Sequence, residues 1–561
     1  MRSTFSGINT ALSALQANQK RLDIIGQNLS NMNTPGYSRQ QLMTSSLNYS
    51  YPISHYNNGS EVAVGFGVQM DRVSQIRDPY LDVQYRSQMN KSGYTDSIQT
   101  ALDSLSKVLD ESNIKGIRQA FDDIQSTLTN MQDASKVDEP VYEAELRSRM
   151  QALTNLLNQA AKQIQDAEKA EFDRLNGEGS SEHGAVQEVN DLLRQIGDLN
   201  IRIKENQVMG QPSLELMDER NVLLDQLASY LPIEVTYFKD PDHSGPVLDA
   251  GGQPVLDANG KPMLKEFEYD KNGNIIGKKE WPDDLRVTMS YKDANGNSQT
   301  LTLVDGTNGG KGSNYGELTL NGNRDNPKDV SISVTDAAGN TVNNFSAKGN
   351  QFNSGSIQAS LDMLGKAGTG QTIPGTQTQD DIRGYQYYMN RLDQLAKKFA
   401  DTFNDLNNGA SAAQPGGDLF EASDGTGNIN ASNISISKDW ISGKTTIASG
   451  KDNHNDVVLD MLKAMSDTYQ DLGDKSFADF MNNISVVWAN DLSTNQESLK
   501  TDVTVLNGIQ NARDSVSGVS LDEEAANMMA FASAYNAASR LMTTLDEALD
   551  RLINNTGIVG R

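Results

Sequence analysis

Apolar side chains recur at seven-residue spacing at both ends of this chain, whereas the long stretch between is more varied. Near the N-terminus Ile8, Leu15, Leu22 and Leu29 form one row; Ala11, Ile25 and Met32 fall at the second row position, with Asn18 as a polar interruption. Near the C-terminus Met528, Tyr535, Met542 and Leu549 alternate with Phe531, Ala538, Leu545 and Leu552. Both patterns predict helices with an a/d stripe. Thr34-Pro35-Gly36 stops the first helix, because proline disfavours a helical residue before it and glycine turns the chain. Ser520-Leu521-Asp522-Glu523 fits a capping box that starts the last one. The last helix is expected over residues 521–554, roughly 50 Å at 1.5 Å per residue. A helix of that length cannot hide its stripe inside a small globule, so a partner from this chain or another has to cover it. The N-terminal stripe alone fits an ordinary amphipathic helix and a seam with a partner equally well.

With 561 residues the chain is too long for one core, and several domains are expected. Apolar residues make up 37% and aromatics 6%, which suits thin helical layers better than a deep enzyme core. A formal charge of −26 argues against nucleic acid and against acidic lipid surfaces as partners. The absence of cysteine excludes disulfides, thiolate catalysis and cysteine-bound metals. No apolar run approaches the ~20 residues that span a bilayer, and no signal-peptide core follows Arg2, so export, if it occurs, is expected by a route without a cleaved signal.

Helical patterning resumes near Tyr80. One stripe comprises Ile117, Phe121, Ile124, Leu128 and Met131. A second comprises Leu146, Met150, Leu153, Leu157, Ala160, Ile164 and Ala167, and a third Val189, Leu192, Ile196, Leu199 and Ile203. A fourth covers residues 216–227. These read as long antiparallel helices of an elongated bundle. From Pro232 alternation replaces the heptads, with Phe267, Tyr269, Ile275, Leu301, Leu303, Val330, Ile332 and Val334 on short strand-like runs. Helices return near residue 380, a strand pair is expected over residues 434–447, and helices continue over 477–515.

Four Asp-led turns begin at Asp257, Asp270, Asp293 and Asp336. A calcium loop needs glycine at its sixth position, whereas here glycine is the fourth residue, so hairpin turns are expected. Gly310-Lys311-Gly312 lacks the earlier glycine and the following serine or threonine of a phosphate loop. His55, His183, His243 and His454 form no i, i+4 pair. No residue is assigned to catalysis, a cofactor or a metal.

Three stretches resemble the flagellar rod, hook and hook-associated family. The first is Asn28-Leu29-Ser30-Asn31-Met32-Asn33-Thr34-Pro35-Gly36-Tyr37 with its continuation Ser38-Arg39-Gln40, which is most similar to the hook-associated members. The second runs over residues 67–81 and contains Arg77-Asp78-Pro79-Tyr80-Leu81. The third is Gly518-Val519-Ser520-Leu521-Asp522-Glu523-Glu524-Ala525-Ala526-Asn527; residues 216–227 add a weaker match. Ala532-Ser533 stand where relatives often carry glutamines.

The resemblance implies a secreted structural part of the bacterial flagellum at the junction of hook and filament, exported unfolded. Implied partners are copies of itself, the hook protein, the second junction protein and an export chaperone at the C-terminal helix. Its other readings are another axial protein, or an adhesin or enzyme displayed through the β-rich insert. The expected fold is multi-domain, with long helical coiled-coil and bundle layers built from both chain ends. The expected division is residues 1–60 with 516–561 as a terminal coiled-coil domain, 61–231 with 356–515 as a helical bundle with a short strand pair, and 232–355 as an inserted β-rich outer domain. The assembly residues are expected to be Ile8, Leu15, Leu22, Ile25, Leu29, Met32, Met528, Phe531, Tyr535, Met542, Leu545, Leu549 and Leu552, with Asn28, Asn31, Thr34, Pro35, Gly36 and Tyr37 as the family motif.

Overall fold

The computed structural model describes residues 6–47, 67–109, 111–137, 139–177, 184–239, 246–249, 251–257, 260–265, 267–269, 275–278, 283–293, 297–306, 314–349, 352–368, 382–409 and 411–555. Helix α1 (Ser6–Ser30) leads into a hairpin of β1 (Gln40–Ser46) and β2 (Val68–Gln75), paired antiparallel from Gln40 opposite Gln75 to Ser46 opposite Val68. Six helices follow: α2 (Pro79–Ser104), α3 (Ser106–Leu109), α4 (Glu111–Asn130), α5 (Pro140–Asn176), α6 (Ala185–Val208) and α7 (Leu214–Tyr230). Local chemistry sets their ends. Asp78 accepts the N–H of Tyr80 at 2.9 Å and Pro79 occupies the first turn of α2, where a missing N–H costs nothing. Gly177, left-handed at φ 80°, closes α5.

The segment after α7 carries strands β3 (Ile233–Lys239), β4 (Phe267–Tyr269), β5 (Ile275–Lys278), β6 (Asp283–Lys292), β7 (Ser298–Asp305), β8 (Glu317–Asn323), β9 (Asn326–Thr335) and β10 (Thr341–Ser346). They form sheets ordered β3-β6-β7, β10-β9-β8 and β4-β5. The turn reading holds where it can be followed. Asp336 and Asn340 join β9 to β10, Asn340 N–H donating to Asp336 Oδ1 at 2.7 Å with Gly339 at φ +87°. Asn297 N–H likewise donates to Asp293 Oδ1 at 2.9 Å. The turn at residues 270–274 and the loop at 307–313 lie outside the described residues.

Helices α8 (Ser356–Gly365), α9 (Tyr385–Asn408), α10 (Lys438–Ile441), α11 (Asp456–Ser466), α12 (Phe477–Ser517) and α13 (Leu521–Asn555) complete the chain, with β11 (Phe420–Ala422) pairing β12 (Ile434–Ile436). The strand expected over 434–447 therefore stops at Ile436. Its partner lies upstream, and α10 follows at once, because Trp440 turns inward to full burial and its Nε1–H donates to Glu143 at 2.7 Å.

The stripes read for α4, α5 and α6 are buried, apart from a half-buried Ala167. The stripe read for α7 is only half right. That helix buries Leu224 and Leu227, but Asp218, Arg220, Asn221 and Asp225 are buried with them and Leu216 is half-buried. One continuous hydrophobic cluster joins helices and sheets. Among the described residues its buried members begin at Ile98 and end at Trp488. The two ends of the chain contribute none; Ala17, Ile24 and Leu42, backed by Val68 and Val73, make a second, much smaller cluster between α1 and the hairpin.

Candidate assembly interface

Helices α1 and α13 lie antiparallel against each other. A Cβ placed on Gly7 would sit 3.4 Å from Leu545. The Arg21 guanidinium lies 5.1 Å from the centre of the Phe531 ring, and the Asn28 amide donates to Glu524 at 3.3 Å. The step from Gly7 to Asn28 equals the step from Glu524 to Leu545, so the register does not slip along the pair. Ala11, Ile25 and Ala538 are buried on these helices, while Ala17 and Ile24 are buried against the hairpin.

The expected stripe is only partly used by this pairing. Ile25 is 4% exposed, whereas Ile8, Leu15, Leu22, Leu29, Phe531, Tyr535, Met542, Leu545 and Leu549 are half-buried. Met32, Met528 and Leu552 are exposed at 41%, 40% and 50%. Leu12, Met529, Leu541 and Ile553 add to the uncovered apolar surface. Two helices can bury one seam of each other; a further face of each stays open to water, which apolar surface disfavours by about 25 cal/mol per Å².

The motif after α1 is a knot of hydrogen bonds. Asn28 is buried at its centre. Its Nδ2 donates to the Gln40 carbonyl at 3.0 Å and to Glu524, while its Oδ1 accepts the Tyr37 hydroxyl and the Gln40 N–H, each at 3.0 Å. Asn31 Nδ2 donates to the Gln27 carbonyl at 3.0 Å, and Asn31 Oδ1 accepts the Thr34 hydroxyl at 3.3 Å, closing the turn that Pro35 and Gly36 complete. Gly36 has φ +77°, and a Cβ there would lie 2.3 Å from Val222 Cγ2, so glycine is required on both counts. Burial pushes the Tyr37 phenol well up, with Glu215, Asp218 and Glu524 adding to the effect; it stays a hydroxyl donor at any physiological pH.

Beyond the motif the contacts reach the helical body. Ser38 donates to Asp218 from its N–H (3.1 Å) and its hydroxyl (2.7 Å). Arg39 donates its N–H to the Ser517 carbonyl at 2.8 Å and its guanidinium to Glu523. The Ser520 hydroxyl oxygen accepts the Glu523 N–H at 3.5 Å, while the Glu523 carboxylate turns to Arg39. Arg77 binds Asp82 at 2.9 Å and Asp218 at 3.4 Å. Asp225 receives Arg86 at 2.9 Å and Arg513 at 2.6 Å, and Arg513 also lies 4.0 Å over the Tyr85 ring. Burial raises Asp218 from its ordinary value against the pull of Ser38 and Arg77, and burial likewise raises Glu524. Three arginines and three aspartates thus join α2, α7 and α12 beside a cleft of ≈ 710 Å³ lined by Met32, Tyr37, Arg39 and Glu523. The three stretches singled out in the sequence, and the weaker fourth over residues 216–227, meet at this one place. The buried polar face of α7 escapes a search for apolar periodicity; its only signal is the spacing of Asp218, Asn221 and Asp225 along one side of the helix.

This arrangement offers hydrogen bonding, charge pairing and apolar contact. Among the described residues no group of histidine and carboxylate side chains is placed to hold a metal, and no helix is long and apolar enough to cross a membrane.

Comparison with known proteins agrees with this layout. Residues 8–37 match the flagella basal body rod protein description, residues 102–276 the flagellar hook-associated protein FlgK helical domain, and residues 510–555 the flagellar basal body rod FlgEFG protein C-terminal region. Flagellar hook-associated protein 1 of Bacillus subtilis is 29% identical over 583 aligned positions covering all of both chains. The Escherichia coli protein of the same name is 23% identical, covering 98% of this chain and 99% of its own. A solved structure of the flagellar hook junction protein FlgK from Burkholderia pseudomallei is 16% identical, with a TM-score of 0.35 over 61% of this chain and 46% of that one. Rod-type ends around a hook-associated helical region, with similarity running from one terminus to the other, make this chain similar over its whole length to flagellar hook-associated protein 1.

Proposed function

We propose that the chain is a structural subunit of the flagellum at the junction between hook and filament, and that it acts by packing rather than by catalysis. The observation that carries this reading is the apolar surface left open on α1 and α13 by a chain whose whole length aligns with hook-associated protein 1. Further copies of the chain and neighbouring axial subunits cover that surface. The stripe residues from Ile8 to Met32 and from Met528 to Leu552 are the contacts, and the knot around Asn28 holds the pair at a fixed angle to the body. Residues 1–60 with 516–561 form the innermost coiled-coil layer, 61–231 with 356–515 the next, and 232–355 project outward. The hook protein lies on one side and the second junction protein on the other. Before assembly, α13 is the segment a cytoplasmic export chaperone holds, and the chain leaves the cell without a cleaved signal to become part of the extracellular flagellum.

Deletion of the gene tests the reading. The expected result is finished hooks without filaments in the electron microscope and flagellin lost to the medium, both restored by the intact gene. Filaments of normal number and length on the deletion strain would overturn it.

A further inference from the structure

A cavity of ≈ 470 Å³ opens between α1, β1 and α13. Ile24, Ile25, Leu42 and Phe531 give it apolar walls, and Met43, 45% exposed, lines it as well. Arg21 lines the same cavity and is held there by neutral groups. Its guanidinium donates to Thr44 Oγ1 at 3.1 Å and to Asn18 Oδ1 at 3.4 Å, and lies over the Phe531 ring. Glu524 also faces the cavity, but it accepts from Asn28 and is drawn to Arg39. Among the described residues no carboxylate comes within ion-pair distance of Arg21. A half-buried cation has lost part of its hydration, and a carboxylate would offset that loss.

The matching chemistry stands at the far end of α13. On a chain that carries −26, α1 holds Lys20 and Arg21 against Asp23 alone, whereas α13 holds six carboxylates against two arginines. Glu523 and Glu524 turn to Arg39 and Asn28. Asp546, Glu547 and Asp550 are exposed, and they stand beside Leu552 and Ile553 at 50% and 71% exposure. Among the described residues Asp550 receives the Asn554 amide at 2.6 Å, and no cation lies within ion-pair distance of the three acids. This helix end is acidic with an aliphatic tip, and the cavity is a cation among apolar walls. The two cannot meet within one chain. Arg21 is level with Phe531, and Asp550 lies further along the same helix by about 28 Å at 1.5 Å per residue.

We propose that the acidic, aliphatic end of α13 seats in this cavity on a second copy of the chain, with Asp550 and Glu547 facing Arg21, an inference that rests on the proposed function. Copies pointing the same way are then displaced by about 28 Å along their helices. The two surfaces differ, so the contact is heterologous. Each copy offers an open cavity at one level and an open tip at another, and copies add until a ring or helical wall forms. One charge cluster and two aliphatic side chains fall short of the ~1,200 Å² that a stable interface buries. With −26 on each copy opposing approach, the purified chain stays apart, and the contact forms where the other terminal contacts already hold copies together.

The chain has no cysteine, so introduced thiols report the contact directly. Met43→Cys and Ile553→Cys together, in the full chain expressed as the only copy, should give a ladder of disulfide-linked multimers when isolated hook–filament structures are oxidised. Each single variant should give no ladder. Glu547→Arg/Asp550→Arg changes side chains already in water, so urea unfolding of the purified chain should not move, while filaments per cell should fall at least ~10-fold. Adding Arg21→Glu should restore filaments, a rescue that the separation within one chain excludes in cis. No ladder from chain present in the structures, or an unchanged filament number in Glu547→Arg/Asp550→Arg, overturns the contact alone. Absence of the unaltered chain from hook–filament structures overturns the contact and the proposed function together.

Discussion

Asn28 and Glu524 stand 496 residues apart along the chain, yet the amide of one donates to the carboxylate of the other across 3.3 Å. The same Asn28 holds Tyr37 and both backbone groups of Gln40. Asn28→Ala strands a buried N–H and a phenol, each at about 1–3 kcal/mol. The Gln40 amide should then exchange with deuterium at least ~10-fold faster, since 1.4 kcal/mol is tenfold, while amides of α5 stay unchanged.

Gly36→Ala forces an L side chain into a left-handed conformation, a cost of roughly 1–2 kcal/mol, and drives its Cβ against Val222. The variant should lower the urea midpoint of the segment around the motif. Adding Val222→Ala should recover part of the loss, because it relieves the contact and leaves the backbone strain.

Asp225 faces two cations, Arg86 and Arg513. Asp225→Ala leaves both without this partner and should cost about 3–5 kcal/mol. Arg513→Ala leaves Asp225 with Arg86 and should cost less, about 1–3 kcal/mol. Equal losses in urea unfolding would refute this ranking.

Burial raises Glu171 above the ordinary glutamate value, with Arg174 and Ser360 opposing. The folded chain thus holds this proton more tightly than the unfolded chain. The contribution is fully present below the unfolded value and is lost as pH rises through the folded one. Glu171→Gln should therefore gain stability relative to the parent between pH 4 and pH 8. A constant difference across that range would contradict the assignment.

Met528→Asp and Leu552→Asp change side chains already in water. The thermal midpoint of the purified chain should move little, within about 0.5 kcal/mol of stability. Incorporation into flagella, scored by immunoblot of sheared filaments and hooks, should fall sharply.

The helices α4, α5 and α6 were legible because each has a single apolar stripe that the core wholly covers. The terminal helices were legible as helices, but the burial of particular residues was not. Their mutual contact runs through Gly7 against Leu545, Arg21 over Phe531 and Asn28 to Glu524, while Ala17 and Ile24 are buried against the hairpin and most of the larger heptad residues remain half open. Asp218, Arg220 and Asp225 could not be placed inside by hydrophobicity, since charged groups are buried only where partners from distant segments meet them.

Among the described residues the oil of this molecule comes in two unequal drops, with donors and acceptors wired between them around Asn28 and Asp218. Water can replace such wiring bond by bond, whereas a shared apolar interior would have to rupture at once. In a calorimeter the isolated polypeptide should accordingly absorb heat in two events, a small early one as the ends part and a large later one as the interior spanning Ile98 to Trp488 melts.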